Sequence, residues 1–224
     1  MKRTATRKNL GGLSVAQRTS GLRSVLSIPV VYELFQQIVG SPAVRHEFID
    51  NHVRPKPGDR VLDIGCGPGD ILEFLPDVAY VGVDPSALYI ASATKRFGDR
   101  GSFSVSGVDD LDPERLGVFD IAIAKSVLHH VDDGQAGKLF EVAARILAPG
   151  GRLVTLDAGF ADGQSALSRF VVGKDRGANV RADSHYAALA REWFDDVDVT
   201  VHHHLLRMPY THVLLDCASP RQVS

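Results

Sequence analysis

The sequence has little cysteine. Cys66 and Cys217 are the two among 224 residues, too few for a disulfide scaffold. Nothing in it suggests export, so a reducing cytoplasm is the expected setting. It lacks any apolar run approaching the roughly 18 residues of a membrane helix, so no membrane span is expected. It lacks a strong excess of charge: 25 Lys and Arg stand against 27 Asp and Glu. With no basic stripe, a general nucleic-acid binder is not expected. It lacks repeats and low-complexity tracts. What remains, 44% hydrophobic and 23% charged, is the composition of a globular protein with length for one full core.

The charge is unevenly spread. Residues 1–32 hold Lys2, Arg3, Arg7, Lys8, Arg18 and Arg23, and no acid. Residues 1–28 read as a basic, mobile N-terminal arm; a transit-like peptide, a lid or a partner contact are the alternatives. Residues 29–224 read as a single domain with a helical lead-in over 29–57. There, Val30, Val31, Leu34, Phe35, Ile38 and Val39 recur at helical spacing until "RPKPGDR" (54–60) breaks the pattern.

Strands and helices then alternate. Buried strands are expected at 60–65, 79–84, 101–106, 118–126 and 152–158. Helices are expected at 70–75, 86–97 and 132–151, the last ended by Pro149 and two glycines, and again at 164–172 and 184–192. Two final strands, 196–202 and 210–217, are joined by too few residues for a crossover helix, so they form an antiparallel pair. The fold class is α/β: a Rossmann-like, seven-stranded, mostly parallel sheet with helices on both faces and an antiparallel C-terminal strand pair.

"VLDIGCGPGD" (61–70) sits where the first strand meets its helix. Gly65, Gly67 and Gly69 give G-x-G-x-G, one residue shorter than the G-x-G-x-x-G of dinucleotide sites. Pro68 removes a backbone donor that a phosphate would use. Asp63 repels a diphosphate but suits an amine or sulfonium. Asp84 closes the second strand, where an acid accepts ribose hydroxyls. The set favours a nucleoside with a positive centre over phosphates.

"VLDIGCGPGD", "VGVDPS", "FDIAIAKSVLHHVDD" and "LAPGGRLVTLD" resemble the successive motifs of the class I S-adenosylmethionine-dependent methyltransferases, in that family's order and usual spacing. The resemblance covers about residues 58–160. Its "LHH" is similar to that of relatives of the ubiquinone-biosynthesis, small-molecule type. The resemblance implies S-adenosylmethionine as cofactor and S-adenosylhomocysteine as product. It implies that Gly65, Cys66 and Gly67 line the methionine and ribose side, with Gly69 a further cofactor-binding residue and Asp63 near the amino group, directly or through water. Asp84 would hold the ribose, and Pro85 and Ser86 would flank the adenine. The usual acid after the third strand is replaced by Gly107, so Asp109, or Asp110, stands in for it. Ala124 and Lys125 would cross under the cofactor.

Methyl transfer from a sulfonium is an in-line displacement, and a base is needed only where the acceptor must lose a proton. His130 and His129 are the titratable groups nearest the expected chemistry, His130 as substrate-side residue or base and both alternatively as packed residues shaping the pocket. "AKSV" lacks the Asn/Asp-Pro-Pro-Tyr-like run of enzymes that methylate nucleobases or amides. "HHH" (202–204) offers no metal site, because adjacent strand residues face opposite ways, and no metal is expected. Tyr32, in the lead-in, and Arg176 and Arg181, in the polar loop 173–181, are candidate substrate contacts, the arginines for a carboxylate or phosphate. Arg207, Tyr210 and His212 carry no assigned role.

The leading expectation is methyl transfer to a small-molecule acceptor. A protein or RNA acceptor, with the basic arm docking it, is the alternative. A nicotinamide-dependent oxidoreductase and a non-catalytic binding protein with a relic site stand further back.

Overall fold

The computed structural model describes residues 42–175, 177–203, 205–206 and 209–221. The basic arm, most of the helical lead-in, Tyr32, Phe35, Arg176, His204 and Arg207 lie outside the described residues.

Seven strands form one path in the order β3-β2-β1-β4-β5-β8-β7. Their ranges are β1 (Arg60–Ile64), β2 (Ala79–Asp84), β3 (Gly101–Val105), β4 (Phe119–Lys125), β5 (Leu147–Phe160), β7 (Phe194–His202) and β8 (His212–Pro220). The first five run parallel, while β8 pairs antiparallel with both β5 and β7. Seven strands were expected from the sequence; the described sheet has eight. The extra one, β6 (Arg181–Ala182), adds two parallel residues to Gly159 and Phe160 of β5. Two residues carry no periodicity, so no pattern in the sequence announces them.

Helices cover both faces. The α-helices are α1 (Pro42–Glu47), α2 (Ala87–Phe97), α3 (Pro113–Leu116), α4 (Asp133–Ile146), α5 (Ala166–Val172) and α6 (Asp183–Arg191). Short 3-10 turns follow β1, β3 and β4 at Asp70–Phe74, Val108–Asp110 and Leu128–His130. A π-helical turn, Phe48–Val53, extends α1 and closes with Arg54 in the left-handed region. The caps are those the sequence implies: Ser86 accepts from the Tyr89 amide at α2, and Asp132 accepts from the Gln135 amide at α4.

Alternation along β1 splits the core into two layers. Leu62 and Ile64 pack with Leu139, Phe140 and Ile146 of α4 and with Tyr186 of α6. Val61 packs on the other face with Phe48, Ile49, Leu72 and Tyr80. Arg152 pins the second layer, donating to the carbonyls of His52 and Val53 and to Asp216 on β8.

The expected helix over 132–151 stops earlier. β5 begins at Leu147, pairs with Phe119, bulges through Pro149 and Gly150, and rejoins β4 where Arg152 meets Ile121. Pro149 lacks the amide a continuing helix needs, and Gly150 takes φ +80°, so the segment bends while staying extended.

Candidate active site

The carboxyl ends of β1, β2, β4 and β5 converge, as the crossover topology requires of a site in such a sheet. On one side is the glycine turn. The amides of Gly65 and Cys66 both donate to the Val83 carbonyl, at 2.7 and 3.0 Å. The Gly67 amide donates to Asp84 Oδ2 at 3.0 Å, and the Gly69 amide to the Cys66 carbonyl at 3.1 Å. Pro68 has no amide. Every backbone donor from 65 to 69 is therefore used within the protein, and a pyrophosphate would find none to take.

Gly65 and Gly67 are glycine for different reasons. At Gly65, φ is +75° and an added Cβ would stand 2.5 Å from Val127 Cγ2, so the turn packs directly on the segment after β4. At Gly67, φ is +55° and an added Cβ would meet nothing within 4 Å. The open side of the turn is the side a ligand can approach.

Asp84 is 8% exposed. Its Oδ1 accepts from the Ser86 amide at 2.8 Å while its Oδ2 holds Gly67, which leaves each oxygen a lone pair for a ligand hydroxyl. Burial raises its pKa, and the two amides oppose that rise. Pro85 is exposed beside it, with Leu88, 83% exposed, and Tyr89 in the first turn of α2 and Val105 in register on β3. Sequence reasoning passed over Leu88 and Val105 as ordinary helix and strand residues.

Asp63 is almost fully enclosed and accepts a 2.6 Å hydrogen bond from the Tyr80 hydroxyl; burial pushes its carboxyl up to about 6. The Cys66 thiol, also raised by burial and by Asp63, stays protonated. The residues present fit a cationic nucleoside: an open turn, a two-oxygen acceptor for a ribose, and buried negative charge beneath. Asp109 is exposed and accepts from Gln135 Nε2 at 2.7 Å, while Asp110 accepts from the Gly107 amide.

The other side begins at Lys125, the half-buried end of β4, with the fully buried Ala124 before it. Burial and Arg45 lower the Lys125 pKa, against the pull of Asp63 and Asp157. Ser126 then takes φ +60°, a strained conformation for a non-glycine residue, and its amide donates to the Leu156 carbonyl at 2.8 Å. That bend brings Val127 against Gly65 and leads into the Leu128–His130 turn.

The two histidines of that turn differ. His129 is 5% exposed, with Nδ1 2.7 Å from Asp157 Oδ1 and Nε2 3.4 Å from Asp175 Oδ1. Its own amide also donates to Asp157. Burial alone would lower its pKa, but the Asp157 hydrogen bond and charge, aided by Asp175, leave it raised. Both ring nitrogens are committed to carboxylates, which is the setting of a charged structural hub. His130 is half-buried, its ring centroid 4.1 Å from that of His129.

The loop after α5 closes on His129. Asp175 also accepts from the Tyr210 hydroxyl and the Gly177 amide, and the Asn179 amide donates to the His129 carbonyl. Asp157, Asp175 and Tyr210 thus join the site although none of them has a role in the sequence reading. An acid at the end of the buried run "RLVTLD" was the available signal, because a buried carboxylate needs partners.

Arg181 is a correction. Expected to meet an acceptor's charge, it is 6% exposed, and its donors are spent on Asp133, on the carbonyls of Leu128 and Val131 and on that of Asn179. It braces the turn that carries the histidines. In "HHH", His202 packs on the ring of His52, while His203 Nδ1 pairs with Thr211.

Residues 61–151 match the methyltransferase-domain family. The ubiquinone biosynthesis O-methyltransferase of Bradyrhizobium sp. (strain ORS 278) is 39% identical over 103 residues, covering 43% of this chain and 39% of that protein. Its counterpart in Xanthomonas axonopodis pv. citri (strain 306) is 32% identical over 115 residues, 49% of this chain and 47% of that protein. The chain thus spans less than half the length of these relatives. Among solved structures, N-methyltransferase NodS from Bradyrhizobium japonicum WM9, in complex with S-adenosyl-L-homocysteine, is similar with a TM-score of 0.58 at 18% identity, covering 88% of this chain and 91% of that one.

Proposed function

We propose, from residues 61–151 that match the methyltransferase-domain family and from the strand order of the sheet, an enzyme that moves a methyl group from S-adenosylmethionine to a hydroxyl of a small-molecule acceptor. The observation that carries the choice of donor is the glycine turn, whose amides are all consumed internally while Asp84 keeps acceptor capacity on both oxygens. That is a site for ribose hydroxyls and a cation, and a poor one for the diphosphate of a nicotinamide cofactor. The hydroxyl acceptor is supported by the O-methyltransferases among the relatives.

S-adenosylmethionine supplies an already activated methyl, so alignment and water exclusion account for most of the rate. In this reading Asp84 holds the ribose, with Pro85 and Ser86 beside the base and Asp109 or Asp110 near its amine. Gly65, Cys66, Gly67 and Gly69 form the floor, and Asp63 supplies negative charge beneath. Ala124 and Lys125 line the far side. His130 takes the acceptor's proton, while His129 is the hub that holds it. Tyr32 and Arg176 stay as proposed acceptor contacts. No described helix is long and apolar enough to cross a membrane.

Titration calorimetry with S-adenosylhomocysteine and, separately, NADH tests the donor: the first binds and the second does not. A labelled-methyl assay over a panel of phenols and alcohols tests the acceptor. Tight NADH binding without S-adenosylhomocysteine binding would overturn the reading.

A further inference from the structure

Tyr80 stands on β2, one residue ahead of "VGVDPS" and given no role in the sequence reading, yet it is built into the site. Its ring is 3% exposed and lies in a slot cleared by two glycines. A Cβ at Gly101 would stand 2.9 Å from Tyr80 Cδ1, and one at Gly82 would stand 3.0 Å from Cε1. Phe103 closes the slot, with ring centroids 5.6 Å apart. Lying there, the ring delivers its hydroxyl to Asp63 Oδ2 at 2.6 Å, two residues ahead of the glycine turn.

Asp63 shares its face of the sheet with Val61 and Ile123, so its charge is set in an apolar layer. The groups that act on it are few. Tyr80 donates to it, Lys125 on β4 attracts it, and Asp84 at the end of β2 repels it; the Cys66 thiol lies above. A hydrogen bond to a carboxylate favours its ionised form, and burial favours the protonated one.

We propose that Tyr80 is a positioning residue that tunes Asp63, so that binding of the cationic methyl donor is coupled to release of the Asp63 proton. This rests on the methyl-donor reading above. With its carboxyl near 6, Asp63 is partly protonated in the empty protein at mildly acidic pH. A cation bound at the turn stabilises the anion through a low-dielectric layer, with or without direct contact. Affinity therefore rises as pH climbs through about 6 and levels off above. Without the Tyr80 hydroxyl the anion is less favoured, and the same rise moves to higher pH.

The test is calorimetric titration with S-adenosylmethionine between pH 5 and 7.5, in buffers of different ionisation heat, for the wild type, Tyr80→Phe and Asp63→Asn. The wild type should release protons on binding near pH 6. Tyr80→Phe should shift the midpoint up by about one unit, weakening binding about twofold at pH 7 and up to about tenfold near pH 5. Asp63→Asn should bind with no dependence over this range. A Tyr80→Phe curve parallel to the wild type, lowered equally at every pH, would make Tyr80 merely structural and overturn the inference, as would a pH dependence that persists in Asp63→Asn. Absence of wild-type binding at all pH values would instead overturn the methyl-donor reading, and the inference with it.

Discussion

The two sides of the site are built from different materials. The proposed cofactor side is backbone, made between residues 60 and 86 by a strand, a glycine turn and a second strand. Its hydrogen bonds join amides to the Val83 carbonyl and to Asp84. The proposed acceptor side is side chain, made from His129, His130, Asp157, Asp175 and Tyr210, carried by separate elements. A backbone-built site is hard to vary and so takes one kind of ligand. A site of clamped side chains on loops can be re-cut without touching the sheet, which is where choice of acceptor belongs.

The largest expected effect would come from the backbone side. Asp84→Ala removes the ribose acceptor and the tie to Gly67 and Ser86 together. Two hydrogen bonds to a charged group correspond to a loss of about 100-fold or more in S-adenosylhomocysteine affinity. Calorimetry reads it directly; an affinity within a few-fold of wild type would mean that Asp84 does not hold the ligand.

On the acceptor side, His130→Ala should lower kcat by about 100- to 1000-fold while S-adenosylhomocysteine affinity stays within about twofold. That separation sharpens the division between the two sides. A turnover that survives with a hydroxyl acceptor would remove His130 as the base. A loss of cofactor affinity instead would show that the two sides are not independent, through the Val127 contact with Gly65.

The same division explains what the sequence disclosed. β1, the glycine turn, Asp84 and α2 are local: strand period, turn glycines and a serine cap each leave a mark within a few residues. The acceptor side left marks on its members but none on their pairing. Nothing in "GKDRGANVR" says that Asp175 meets His129, because the contact spans three elements. Arg181 was misread for that reason: a polar loop arginine looks solvent-facing until the Leu128 and Val131 carbonyls are found around it. β6 and the early start of β5 were hidden because pairing, and not composition, creates them.

Arg181 gives the next effect in size. Arg181→Met fills the space but orphans the Leu128 and Val131 carbonyls, a cost of about 2–4 kcal/mol. For a domain of this size the melting temperature should fall by roughly 5–15 °C. Since Arg181 braces the histidine turn and none of its bonds reaches the glycine turn or Asp84, kcat should fall as well while S-adenosylhomocysteine affinity holds. An unchanged melting temperature would return Arg181 to the list of acceptor contacts.

The smallest effect is a pH slope. His129 holds its proton more tightly in the folded protein than the ordinary 6.5, because the Asp157 and Asp175 carboxylates outweigh its burial. A raised pKa of this kind adds stability in full below about 6.5, and the contribution fades as pH rises through the folded value. Three other histidines are shifted the opposite way by burial, His52, His202 and His212, so their contributions change at lower pH. Asp63, near 6, is mostly ionised by about pH 7 and adds little to the slope above it. Between about pH 7 and 8.5 the slope is therefore chiefly that of His129. The melting temperature should decline across this window. The Gly177 and Asn179 amides, which close the loop onto this hub, should exchange faster than the base-catalysed trend alone predicts. His129→Asn keeps a hydrogen bond to Asp157 but carries no proton to lose, so its melting temperature should start lower and stay flat. A slope that survives in His129→Asn would mean that the loop is held by shape and not by charge, and the contrast between a backbone-built side and a charge-built side would fail at that point.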